Sequence, residues 1–130
     1  MSEALLSAQA STPVQPGASA PRPAGVNAYA RRRSAKQQEA EVFARATRSL
    51  REAMGTDPAP MAVARAVADN RRLWDAVNIA VMDPTNQLPR ELRAQIASIA
   101  RAVLRECGEE KPDLSFIADM NEQVAGGLWS

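Results

Sequence analysis

Apolar residues recur at the three- and four-residue spacing of an amphipathic helix in four stretches of the chain. None of these stretches shows the strict apolar–polar alternation of a half-buried strand. The pattern therefore predicts an all-α fold. The four apolar stripes are Phe43, Ala46, Leu50 and Met54; Val63, Val67, Asn70, Trp74, Val77 and Val81; Leu92, Ile96, Ile99, Val103 and Cys107; and Leu114, Ile117, Met120, Asn121, Val124 and Leu128.

Capping residues predict the bounds of the first two helices. The first helix is expected from about Ser34 to Gly55, because glycine is preferred just past a helix end. The second is expected to begin in "TDPAP", with Thr56 or Asp57 as the N-cap and Pro58 in the first turn.

The last two helices are bounded in the same way. "PRE" at 89–91 suits the start of the third helix, which is expected to end at Gly108. Pro112 opens the fourth helix, and Gly126 and Gly127 are expected to fray or end it, because glycine is unfavourable inside a helix.

The connections between the predicted helices are short, at residues 55–57, 83–88 and 108–112. Short connections make sequential helices antiparallel neighbours. The sequence therefore predicts a small up-down bundle of about four helices.

Residues 1–26 differ from the rest of the chain. They consist mainly of Ala, Ser, Pro and Gly, without an aromatic residue or a sustained period. Such a segment buries too little apolar surface to offset its ordering entropy. We therefore expect a disordered arm at 1–26 and a helical domain at 27–130. Glu3 and the short apolar run "ALL" argue against a secretory signal in this arm.

Composition restricts the classes of function. The chain has no histidine, which removes the commonest general acid–base and the commonest nitrogen ligand of metals, so neither an enzyme nor a metal or other cofactor is expected.

Its single cysteine, Cys107, excludes an intrachain disulfide and favours a reducing compartment such as the cytoplasm. Cys107 lies in an apolar stripe and is interpreted as a small core residue. No apolar run reaches the roughly 20 residues that cross a bilayer, so no membrane association is expected.

Charge is distributed unevenly, although the formal net charge is only +1. Residues 31–52 contain seven basic and three acidic residues, whereas residues 106–122 contain six acidic residues and one lysine. The first and last helices are therefore expected to attract each other if they are neighbours. Because the net charge of the whole chain is close to zero, nucleic acid is not an expected partner.

One basic cluster stands apart in "ARRRSAK", which contains Arg31, Arg32, Arg33 and Lys36. It has no interleaved aromatic residue that would stack on a base. A solvated run at the junction between the arm and the first helix is the favoured interpretation. A contact with RNA is the alternative.

"DNRRLWDAV" at 69–77 combines core and surface features. A helical wheel places Trp74 on the apolar face, Arg71 at its edge and Arg72 on the solvent face. Asp75 lies between the two arginines and is predicted to pair with Arg71 at i,i+4 and with Arg72 at i,i+3. Asn70 falls within the apolar face, where an amide needs hydrogen-bond partners. Asn121 or the backbone of "DPTNQLP" could supply them and fix helix register. The alternative is that Asn70 is a polar anchor in a partner-binding groove.

The order and spacing of several motifs resemble the FlaF family of flagellar biosynthesis regulators. The resemblance covers about residues 27–128 and leaves the arm unmatched; known sequences of the family begin near its first motif, which suggests a downstream start near Val26. The motifs are "NAYA" at 27–30, "EAEVFARATRSL" at 39–50, "DNRRLWDAV" at 69–77, "NQLPRELRAQIASIARAV" at 86–103 and "IADMNEQVAGGL" at 117–128.

The resemblance implies a small cytoplasmic helical protein without enzymatic activity. Such a protein would promote flagellin production and export by acting on flagellin, against a regulator called FlbT that restrains flagellin translation. A helix of the client would lie in a groove of the bundle. The residues hypothesised to bind it are Asn70, Arg71, Leu73, Trp74 and Leu92. The alternative function is a post-transcriptional regulator that contacts flagellin mRNA through Arg31, Arg32, Arg33 and Lys36.

Overall fold

The structure is a computed structural model, and the part of the chain that it describes contains four helices. This part comprises the backbone of residues 24–55, 57 and 59–129, with the side chains of 37–55, 57 and 59–127. The helices are α1 (Ala24–Ala53), α2 (Pro60–Met82), α3 (Arg90–Cys107) and α4 (Leu114–Trp129), and no strand occurs within these ranges. The predicted all-α fold is confirmed.

The helices form an up-down bundle in which each packs against its neighbours in the ring. α2 lies between α1 and α3, and α4 returns to pack against α1. The contact between α3 and α4 is the smallest of the four. Residues of the predicted stripes fill the centre, the largest fully buried side chains being Trp74, Phe43, Leu50, Ile117, Val77 and Val103.

Helix α1 begins ten residues earlier than the apolar period indicates. Its start at Ala24 includes the last three residues of the predicted arm, and residues 1–23 lie outside the described part of the chain. The segment between Ala24 and Ser34 is rich in alanine and arginine, which are strong helix formers without forming an apolar stripe. Helix propensity therefore extends α1 where no core-facing pattern is present.

Two other predicted bounds are wrong. Helix α2 begins at Pro60 with Ala59 as its N-cap and no side-chain cap, so Asp57 does not cap it; Thr56 lies outside the described residues. Proline suits this first position because its missing N–H has no partner there in any helix. Helix α4 continues through Gly126 and Gly127 to Trp129. Each glycine costs only about 1 kcal/mol in a helix interior, which is too little to end a packed helix.

The connection between α2 and α3 is held by side-chain hydrogen bonds. Arg93 donates to the carbonyl oxygens of Val81 and Asp83, and the Asn86 amide donates to the carbonyl of Ala80. These carbonyls lie at the end of α2, where intrahelical donors are lacking. The bonds fix how α3 leaves α2 and orient the Arg93 edge of α3 toward α2.

The expected attraction between the first and last helices is confirmed. Arg51 of α1 forms ion pairs with Asp119 (3.3 Å) and Glu122 (2.7 Å) of α4. The hydrogen bond to Asp119 is the main reason that the pKa of Arg51 is raised. All three side chains are exposed, so the pairs mainly orient α4 against α1.

In the described ranges, no helix combines the length and the apolar character needed to cross a membrane.

Candidate partner-binding site

Asn70 and Trp74 lie in the centre of the bundle and join a polar network. The Asn70 amide donates to the carbonyls of Ala46 (3.1 Å) and Ala66 (2.8 Å). The Asn121 amide donates to Asn70 Oδ1 at 2.8 Å, and Trp74 Nε1 donates to Asn121 Oδ1 at 2.7 Å. The network thereby connects α1, α2 and α4.

The network shows which groups form hydrogen bonds with the buried amide of Asn70. Its partners include Asn121, as the sequence suggested, and not the backbone of residues 83–89. The Trp74 ring is fully buried and meets Phe43 edge-to-face at a centroid distance of 5.9 Å. The protein's own helices therefore cover Asn70 and Trp74. Their hypothesised contact with a partner stays a prediction, and it requires the helices to separate.

The other hypothesised binding residues lie on different faces. Leu73 is buried and lines a shallow groove between α1 and α2 beside Val42. Arg71 is exposed, and its guanidinium lies 3.7 Å from the position of a Cβ on Gly108 at the end of α3. Leu92 is partly buried near the start of α3. The structure does not bring these three side chains together.

The solvent-face ion pair of α2 differs from the one predicted. Arg72 pairs with Asp69 at i,i+3, one turn toward the N-terminus, instead of with Asp75. The pair is exposed and has little effect on stability.

Partly exposed apolar residues of α3 lie on one edge of the helix, and their orientation follows from polar contacts. At about 100° per residue, Leu92, Ile99 and Glu106 lie on one flank of the buried face of α3, and Arg93 lies on the other side of its centre. Arg93 contacts α2, whereas Glu106 accepts a hydrogen bond from the backbone N–H of Asp113, just before α4. Leu92 and Ile99 therefore face the α4 side of α3.

Helix α4 presents a matching edge. Asp119 and Glu122 pair with Arg51 and so mark the side of α4 that faces α1. Phe116 and Met120 lie on the other flank of the buried face of α4 from Glu122, toward α3, and both are partly buried.

These two edges define an apolar seam, formed by Leu92, Ile99, Phe116 and Met120. It runs where α3 and α4 have the smallest contact, so part of each side chain remains open to solvent. Gly127 lies on the α4 edge of the seam near its Leu92 end. No other part of the described structure comes within 4 Å of the position of a Cβ on Gly127. A side chain at position 127 therefore has space available.

Of the seam residues, the sequence hypothesis named Leu92 alone. Ile99 and Met120 belong to the predicted apolar stripes, and Phe116 lies beside one. A wheel shows that they flank the stripe centres, which is a signal for partial exposure. The wheel does not show which neighbouring helix leaves this flank of the stripe exposed.

One end of the seam meets an acidic turn, defined here as residues 106–113. The turn contains four acids (Glu106, Glu109, Glu110 and Asp113) and one lysine, a net charge of −3. Three of the acids and the lysine line an open depression. The side chains of Glu106 and Asp113 accept hydrogen bonds from backbone N–H groups, while the side chains of Glu109 and Glu110 are exposed and form no hydrogen bond or ion pair within the described ranges. No group of side chains suited to a metal ion occurs among the described residues.

Cys107 belongs to the stretch 106–113, but its side chain is buried in the core, as predicted. Burial is the main cause that raises the pKa of its thiol, and Asp75 and Glu106 raise it further against Arg71. We expect the folded protein to react with a thiol reagent such as DTNB far more slowly than the urea-unfolded chain near pH 8, because only an accessible thiolate attacks. Equal rates in the two states would contradict the buried position.

The sequence profile described as "Flagellar protein FlaF" matches residues 26–128, which is most of the chain. This chain belongs to the FlaF family. The predicted resemblance is thereby confirmed, and the protein is a flagellar protein. No curated protein and no solved structure matches the chain.

Family membership does not decide between the hypothesised binding surfaces. The side chains of Arg31, Arg32, Arg33 and Lys36 lie outside the described ones, although their backbone is helical and belongs to α1. A contact with flagellin mRNA through these residues stays a prediction.

Proposed function

We propose that this protein is a non-enzymatic regulator of flagellum biogenesis that binds flagellin in the cytoplasm and promotes its synthesis and export, as a chaperone does. A FlbT-like regulator is expected to oppose it in the same pathway. The match to the FlaF family carries the flagellar part of this proposal. The apolar seam supports the binding part.

The seam has the dimensions of a short helix-binding groove. Leu92 and Ile99 are seven residues apart, which corresponds to about 10 Å along α3. Side chains at positions i, i+3 or i+4, and i+7 of an amphipathic helix cover the same distance. A client helix that is disordered before docking loses conformational entropy when it folds, so its binding is reversible. Reversible binding suits a cargo that must later be exported.

Substitution of Gly127 by arginine tests the seam. We expect Gly127→Arg to weaken flagellin binding about tenfold or more, because the new side chain would occupy the open end of the seam and resist desolvation by a client. Folding should be unaffected, since space is available and arginine favours a helix more than glycine does. Isothermal titration calorimetry with purified flagellin measures the affinity.

Gly126→Arg is the matched control. Gly126 is in the same helical turn, is equally free of neighbours, and points away from the core. It should bind flagellin as the wild type does. Equal binding by both variants would exclude the seam, and the absence of a wild-type complex at roughly tens of micromolar would count against flagellin binding itself.

A further inference from the structure

We propose that the seam accepts an amphipathic helix that carries basic side chains at one end, and that this end lies on the acidic turn. The inference rests on the proposed binding function of the seam and adds the chemistry and placement of its occupant.

The charge along the seam is asymmetric. The acidic turn at one end has a net charge of −3, or −2 with the adjacent Arg71 counted. At the other end, the first turn of α3 carries Arg90, Glu91 and Arg93, a net charge of +1. A helix in the seam therefore meets a negative field at one end alone.

The acids of the turn are available in different degrees. Glu106 and Asp113 already accept hydrogen bonds from backbone amides. Glu109 and Glu110 are exposed and have no cationic partner in the described part of the chain. They are therefore free to pair with lysine or arginine side chains of a ligand at the rim of the seam.

Together the two features specify the ligand. The apolar seam selects leucine-like side chains at helical spacing, and the turn selects basic residues beyond the last of them. Interactions at an exposed rim mainly govern selectivity and the salt dependence of binding, while apolar contacts hold the ligand.

A pair of synthetic helical peptides tests this inference without flagellin. Both carry leucines at i, i+3 and i+7; one has lysines in its last turn, and the other has glutamines there. We expect the wild-type protein to bind the lysine peptide about tenfold more tightly at low ionic strength, with the preference lost in high salt. Fluorescence anisotropy of the labelled peptides measures both affinities.

Charge reversal locates the effect. Glu109→Lys/Glu110→Lys should abolish the preference for the lysine peptide. Glu41→Lys/Glu52→Lys, which makes the same change in charge on the far side of α1, should retain most of it. Equal affinity of the wild type for both peptides, or an equal loss of preference in both double variants, would overturn the inference.

The peptide experiment and the flagellin experiment can give negative results independently of each other. If the wild type binds flagellin in a manner that Gly127→Arg weakens, but shows no preference for the lysine peptide, the inference about the basic end is wrong and the proposed function stands. If flagellin does not bind while the lysine peptide does, the proposed function is wrong and the ligand chemistry stands.

Discussion

Trp74→Ala is expected to lower the free energy of unfolding by about 3–5 kcal/mol, enough to leave a domain of this size largely unfolded at 37 °C. The indole is fully buried in the centre of the bundle and contacts Phe43 edge-to-face. Its removal leaves a large cavity and deprives Asn121 Oδ1 of its donor. Urea denaturation followed by circular dichroism measures the change.

Two further variants separate packing from hydrogen bonding at this position. Trp74→Phe keeps much of the apolar volume, so it should lower the free energy of unfolding less than Trp74→Ala does. The unpaired oxygen of Asn121 should account for roughly 1–3 kcal/mol of that decrease. Ile79→Ala, at an exposed site on the same helix, should change stability by about 0.5 kcal/mol or less. If Trp74→Ala were as mild as Ile79→Ala, the indole could not be a core residue.

Asn121→Leu should destabilise the fold more than Asn70→Leu, although the two amides are buried equally. Loss of Asn121 leaves Asn70 Oδ1 without the Asn121 donor and Trp74 Nε1 without an acceptor. Loss of Asn70 leaves one N–H of Asn121 unpaired. At roughly 1–3 kcal/mol for each unpaired buried group, Asn121→Leu should cost about twice as much. Thermal and urea unfolding of both variants provide the comparison.

The double variant Asn70→Leu/Asn121→Leu tests whether the two amides act as a unit. It removes both members of the amide–amide hydrogen bond and leaves only the Trp74 N–H unpaired. Its loss should therefore be smaller than the sum of the two single losses by the cost of two unpaired groups, roughly 2–6 kcal/mol. Additive losses would mean that the two side chains are not coupled in solution.

The sequence was sufficient to predict the helices and the centre of the core. Residues such as Phe43, Trp74 and Val103 repeat at helical spacing, and burial of an apolar face contributes most of the stability of packed helices. The bounds were less predictable because propensity and capping contribute only about 1 kcal/mol each. Gly127 therefore lies inside α4, and Ala59 serves as an N-cap without a side-chain hydrogen bond.

The binding hypothesis was predictable only in part. The helical wheel identified Asn70 as an amide in the core, and the sequence offered Asn121 or the backbone of residues 83–89 as its partner; of these, only Asn121 is a partner in the structure. It could not show whether Trp74 is covered by the protein's own helices, since core and interface aromatics have the same spacing. The seam depends on the small contact between α3 and α4, a property of tertiary packing that no single helix encodes.

The proposed surface also explains why a stable interior and a reversible binding site can coexist. The Asn70–Asn121–Trp74 network is satisfied within the bundle, so client binding need not disturb it. Leu92, Ile99, Phe116 and Met120 pack against the core with part of their surface, and the proposal assigns the exposed remainder to a client. Binding then adds apolar contact without opening the fold.

Methyl NMR during a titration with flagellin tests most directly whether the seam is the binding surface. The methyl signals of Leu92, Ile99 and Met120 should shift or broaden, while those of the exposed Met61 and Ile79 on α2 remain unchanged. Changes centred on Met61 and Ile79, or a loss of dispersion across the core methyls that signals an opened bundle, would contradict the seam as the site of binding.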